Sequence, residues 1–173
     1  MRASTKISDI APCGMNCRLC IGYVRAKNKC DGCLTPNTKC SRKCTLRFCT
    51  MRDGKYCDHT CLSFPCQRLK NLDKRYRTKY GMSMIENLLS IENQGIRQFV
   101  RNENERWACS VCGELICVHR QNCLKCDSQR NVEQIIKADR WRMSRTLQNR
   151  VKRAHESPQV TNNGKARTTL SAA

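Results

Sequence analysis

Sixteen of the 173 residues are cysteine, eleven of them before position 67 and five between 109 and 126. A thiol every few residues constrains a fold more than any helix or strand propensity does, because such chains are closed either by disulfides or by metal ions. Cysteines two or three residues apart share one side of a tight turn, which suits chelation better than bridging. The start Met1-Arg2-Ala3-Ser4-Thr5 lacks the basic and apolar regions of a secretory leader, and the chain has no run of about 18 apolar residues that would cross a bilayer. The expectation is a cytoplasmic protein, able to lie peripheral to a membrane complex, with reduced thiols that bind metal.

Aromatic residues make up 5% of the chain, so there is little apolar material to bury, and domains this poor in core rely on metals. Metal binding would then be part of the folding energy. The expected fold class is a small metal-stapled α+β protein with an irregular Cys-rich N-terminal domain, a helical pair, a C-terminal zinc ribbon and a basic helix. Its boundaries fall at 1–66 for the Cys-rich domain, 67–106 for the helical connector and 107–128 for the ribbon. A basic amphipathic helix over 129–156 and a flexible tail over 157–173 follow. Leu69, Leu72 and Tyr76 recur at helical spacing, then Met82, Ile85, Leu88 and Leu89 after a break at Gly81. Ser83 with Glu86 reads as a capping box, and Gly95 as a kink or end.

Four cysteine constellations follow. Cys13, Cys17 and Cys20 form an x3/x2 triad on a Gly-containing turn, suited to one face of a 4Fe-4S cube. Cys30 and Cys33 form a knuckle around Gly32. Cys40-x3-Cys44-x4-Cys49 recurs as Cys57-x3-Cys61-x4-Cys66, a duplicated metal loop with Phe48 and Phe64-Pro65 before the closing cysteines. The triads depart from the paired knuckles typical of zinc and tilt this half toward one or two iron–sulfur clusters, although zinc accepts the same ligands. Cys109-x2-Cys112-Gly113 and Cys123-x2-Cys126 read as a closed four-cysteine zinc ribbon with at least one Zn2+. His59, Cys117 and His119 are candidate extra ligands.

The formal charge is +19, and every part of the chain is basic: 14 Lys and Arg against 4 Asp and Glu over 1–70, 10 against 7 over 71–130, and 9 against 3 over 131–173. Three four-thiolate sites of about −2 each would still leave roughly +13, so an acidic partner is expected: an acidic protein face, nucleic acid or an anionic cofactor. Candidate partner-binding residues are Arg140, Trp141, Arg142, Arg145, Arg150, Lys152 and Arg153. No Ser/His/Asp set and no Gly-rich phosphate loop is present, and Glu103 and Glu105, two apart on a helix, read as solvated surface. The leading expectation is a non-catalytic, redox-sensitive adaptor. The alternative is a zinc-ribbon nucleic-acid binder, with Trp107 and Trp141 stacking on bases beside Arg106, Arg140 and Arg142.

The segments Cys13-Gly-Met-Asn-Cys17-Arg-Leu-Cys20, Lys29-Cys30-Asp-Gly-Cys33, Arg47-Phe-Cys49, Cys57-x3-Cys61-x2-Phe64-Pro65-Cys66, Tyr80-Gly-Met-Ser-Met-Ile-Glu-Asn87 and Trp107-x-Cys109-x2-Cys112-Gly113 with Ile116-Cys-Val-His119 carry a resemblance. Over residues 10–128 the chain resembles a cysteine-rich family, labelled a domain of unknown function, from anaerobic bacteria and methane-forming archaea. The resemblance implies a metal-binding domain without an assigned activity. In the archaea it further implies an oxygen-responsive accessory subunit. Such a subunit would dock on the membrane-bound methyltransferase complex that passes a methyl group from tetrahydromethanopterin through a cobamide to coenzyme M.

Overall fold

The computed structural model describes residues 4–35 and 44–130. The expected basic helix from 131 onward, the tail over 157–173, Cys40 and all seven candidate partner-binding residues between Arg140 and Arg153 lie outside the described residues.

Four helices organise the described chain: α1 (Ile21–Val24), α2 (Gln67–Tyr80), α3 (Met84–Gln94) and α4 (Ile96–Arg106). The expected helical pair is therefore a trio. Gly95, at φ +80°, ends α3 and starts α4 without a linker, a backbone conformation that costs a glycine little. Gly81 ends α2 in the left-handed conformation, with its N–H on Arg77 O, an αL-type close, and the Met82 N–H on Tyr76 O.

Ser83 Oγ accepts the Glu86 N–H at 3.1 Å, which is the Ser83 half of the capping box read from sequence. The buried Asp73 carboxylate of α2 accepts both Ser83 Oγ (2.6 Å) and the Ile85 N–H (3.0 Å). A negative group thus faces the positive end of α3, fixing the angle between the two helices.

The β half of the expected α+β class is not formed among the described residues. Pairing is limited to three isolated bridges, Ile10–Asn16, Ala108–Leu115 and Asn122–Gln129. Turns at nearly every cysteine leave no run of residues long enough for a ladder.

The core runs through all the segments. Ala11, Met15 and Leu19 of the first cysteine loop pack with Leu69, Met84, Ile85, Leu88 and Leu89 of the helices and with Met82, Trp107 and Val118. Its polar seam is a buried network. Asn16 Nδ2 donates to Thr5 Oγ1 (3.1 Å) and to Glu103 Oε2 (3.2 Å), and the Trp107 indole N–H donates to Glu103 Oε1 (3.3 Å). Glu103 is 2% exposed, not the solvated carboxylate its charge leads one to expect, because its oxygens serve three buried or half-buried donors, Arg106 included.

Candidate metal centre

The four sulfurs of Cys109, Cys112, Cys123 and Cys126 lie within 4.8 Å of one another, with Cys109–Cys126 and Cys112–Cys123 both at 3.6 Å. A tetrahedral ion with metal–sulfur bonds of about 2.3 Å spaces its ligands about 3.8 Å apart, so the pocket already has the dimensions of a four-thiolate site.

Two copies of one loop build it, fourteen residues apart in the numbering. In the first, Cys109 N–H donates to Glu114 O and Gly113 N–H to Cys109 O, both at 2.8 Å. In the second, Cys123 N–H donates to Ser128 O and Asp127 N–H to Cys123 O, both at 2.9 Å. The residue after each second cysteine has positive φ, +71° at Gly113 and +55° at Asp127. Asp127 tolerates the left-handed region better than most side chains, and here its Oδ1 accepts Asn122 Nδ2 at 3.1 Å. Each loop is closed by one bridge, Ala108–Leu115 or Asn122–Gln129.

The turns aim backbone amides at sulfur. Val111 and Cys112 N–H groups serve Cys109, Glu114 N–H serves Cys112, and Ser128 N–H serves Cys126. Ser128 adds its hydroxyl, 3.1 Å from both Cys109 and Cys126. That hydroxyl, with the Cys112 and Val111 amides, lowers the Cys109 thiol to about 6. Cys126 is lowered by the same hydroxyl and the Ser128 amide. Cys112 also gains a stabilising amide from Glu114, but burial and the three neighbouring sulfurs outweigh it and push the thiol up to about 12. Four thiolates cannot coexist there without a cation, and a bound metal would resolve the conflict by displacing the remaining protons. Four protein ligands saturate a tetrahedral ion, which leaves no open position for substrate.

The first-half thiols are arranged otherwise. Cys13 and Cys17 are buried in the core, and Cys20, Cys33, Cys44, Cys57 and Cys66 pack against it half-buried. Cys13 feels the charges of Cys33, Cys44 and Cys57, and Cys17 those of Cys33, Cys13 and Cys20, so the electrostatic influence runs across the sequence triads. Cys20 Sγ and the Cys30 Cβ both flank Gly22, and the Cys30 N–H donates to Gly22 O at 2.7 Å. Burial pushes Cys13 up to about 12 despite a hydrogen bond from the Met15 amide. Burial also raises Cys17, against the Cys33 amide. Among the described residues Cys109, Cys112, Cys123 and Cys126 alone draw three or more ligand atoms within 4.8 Å. Cys61 is half-buried, and no disulfide joins the described cysteines.

Of the candidate extra ligands, His59 and His119 have polar partners outside the four-sulfur group and Cys117 is buried. His59 Nδ1 lies 2.7 Å from Glu92 Oε1. Cys117 is 1% exposed, its thiol raised by burial. His119 packs edge-on against Tyr76 and Tyr80, and its Nδ1 accepts the Ile21 N–H at 3.3 Å. Desolvation and the Arg75 charge lower its pKa. Trp107, expected to stack on bases, is fully buried between the guanidinium groups of Arg106 (5.1 Å) and Arg130 (4.5 Å). Sequence reading overlooked Ser128, and only the fourteen-residue offset that pairs it with Glu114 gave any hint of it.

No family model, no curated protein and no solved structure matches this chain. No helix among the described residues is long and apolar enough to cross a membrane.

Proposed function

We propose that the chain is a non-catalytic metal protein that acts as an accessory or regulatory subunit. A structural zinc sits in the pair of knuckles at 109–126, and one or two iron–sulfur clusters sit in the cysteine field at 13–66. The observation that carries the reading is the four-sulfur pocket, sized for one tetrahedral ion and served by backbone amides from both knuckles. A saturated structural site holds a surface in shape for a partner. The charge of +19 selects an acidic one, and the resemblance directs the proposal to the membrane-associated methyltransferase of methane formation. Clusters exposed to oxygen are lost before most other groups react, so their loss would signal oxygen to that partner.

Anaerobic purification with zinc, iron and acid-labile sulfide measured per chain tests the metals. Zinc alone, in a colourless protein, would remove the iron–sulfur part. Capture of a protein complex from native extract that survives nuclease supports the adaptor. Loss of all retained material on nuclease treatment would favour the nucleic-acid alternative, which the same charge allows but which the burial of Trp107 weakens.

A further inference from the structure

Between the second and third cysteine of each copy of the duplicated loop lie two large apolar residues, and in each copy one turns inward and one outward. Leu46 is buried while Phe48 is 59% exposed; Phe64 packs against the core while Leu62 is 99% exposed. Met51, just past the first copy, is 61% exposed. Single apolar side chains on a surface are ordinary, but the same in-and-out choice made twice by one repeat is not scatter. Local hydrogen bonds hold it. Leu62 sits at the second position of a turn closed by the Phe64 N–H on Cys61 O at 2.8 Å. Arg52 clasps the loop that carries Phe48 and Met51, donating to Leu46 O (2.7 Å), Arg47 O (3.0 Å) and Gly54 O (2.9 Å).

Both loops meet at the start of α2. The second runs into it through Cys66, the N-cap, and Arg68 in the first turn donates to Thr45 O of the first loop at 3.1 Å, with Nη2 3.4 Å from Cys49 Sγ. The surroundings are basic: residues 44–80 carry nine Lys and Arg against three Asp and no Glu, a net of +6. Of the three, Asp73 is buried and Asp58 accepts the Thr60 N–H and hydroxyl. Arg47 holds its guanidinium 5.0 Å from the centre of the Phe48 ring. A cluster of about −2 in these loops would still leave the segment at about +4.

The side chains select among acidic partners. A nucleic acid would gain from Phe48, but Leu62 and Met51 have no π-face to stack on a base. A protein interface buries a continuous apolar core, whereas here the apolar side chains stand on separate turns among cations. An anionic bilayer takes such side chains one at a time, with apolar groups at the acyl boundary and cations at the level of the phosphates.

We infer that these two loops and the first turn of α2 dock on an anionic lipid surface, with Leu62, Met51 and Phe48 inserted and Arg47 and Lys55 against the headgroups. This goes beyond the accessory-subunit reading and requires neither its partner nor its metals.

The test uses the full chain, purified without oxygen, in flotation with phosphatidylcholine vesicles, either pure or with roughly one-quarter phosphatidylglycerol. The wild type should float with the anionic vesicles and lose them as salt is raised. Leu62→Ser changes a side chain that stands wholly in solvent, so the fold should survive, and partitioning should weaken about tenfold or more, the scale of one buried leucine. Lys55→Gln should weaken it about fivefold. A wild type that stays with neither vesicle, or a Leu62→Ser variant that floats as well as the wild type, would overturn the inference. So would retention on single-stranded DNA without flotation, which would assign the face to nucleic acid. A chain that floats but captures no protein complex from native extract would keep the lipid face and remove the accessory-subunit reading.

Discussion

Ser128 occupies the position that Glu114 holds in the first knuckle, and its short hydroxyl reaches two sulfurs where the longer carboxylate turns outward to Lys125 at 3.5 Å. Ser128→Ala keeps the amide bond to Cys126 and loses only the hydroxyl. Zinc affinity, measured by competition with a chromophoric chelator, should fall about 10-fold or more, with the folded structure intact. His119 gives a second handle. Its folded pKa is depressed, chiefly by desolvation, so both states are neutral above the unfolded value of about 6.5 and the fold keeps its full stability there. As pH falls below that value the unfolded chain takes up the proton first, and stability declines until the folded pKa is passed. His119→Phe keeps a ring against Tyr76 and Tyr80 and should flatten the acid side of the stability profile in urea titrations at pH 5 to 7. A slope equal to that of the wild type would rule His119 out as its source. Neither role could be read from the sequence: a serine two residues past a cysteine looks like ordinary surface, and His119 read as a candidate metal ligand, not as a ring packed on two tyrosines.

Cap chemistry is local, and for that reason the helices were the most legible elements. Ser83 and Gly81 could be placed from their neighbours alone, and both act as expected. Gly14 differs because its reason is tertiary. A Cβ there would lie 2.8 Å from the Met84 carbonyl oxygen and 2.9 Å from Leu88 Cγ, on a backbone at φ +82°. The glycine lets the first cysteine loop press flat on α3, where Asn87 Nδ2 donates to Gly14 O at 2.9 Å. Gly14→Ala should therefore cost about 3 kcal/mol or more, from overpacking plus backbone strain. Gly81→Ala has nothing within 4 Å and should cost about 1 kcal/mol, the strain alone. Equal losses in denaturant titration would mean that the loop is not seated on α3 as described.

Across the whole molecule, the knuckle module is tied to the first cysteine loop. Val118 N–H donates to Leu19 O at 2.8 Å, Ile21 N–H to His119 Nδ1, and Arg130 bridges Val118 O (3.2 Å) and Tyr80 O (3.0 Å). A metal bound only by the folded state stabilises it by mass action, about 4 kcal/mol at a thousandfold excess over Kd. Its loss should be felt beyond its ligands. Removing it with the Cys112→Ser/Cys126→Ser double variant should lower amide protection at 19–24 as well as at 107–128, measured by hydrogen exchange. Protection unchanged at 19–24 would show that the loop holds without the knuckles. The sequence by itself located the four cysteines that lie close enough to hold one metal ion, and where the longer helices begin and end. These features depend on residues a few positions apart, whose geometry is set by turns and caps. The tertiary structure decided which carboxylate is buried, which histidine packs on the tyrosines of α2, and that Arg68 faces Cys49. Those contacts join residues tens of positions apart, and only the packing of the loops on α2 and α3 brings them within bonding distance.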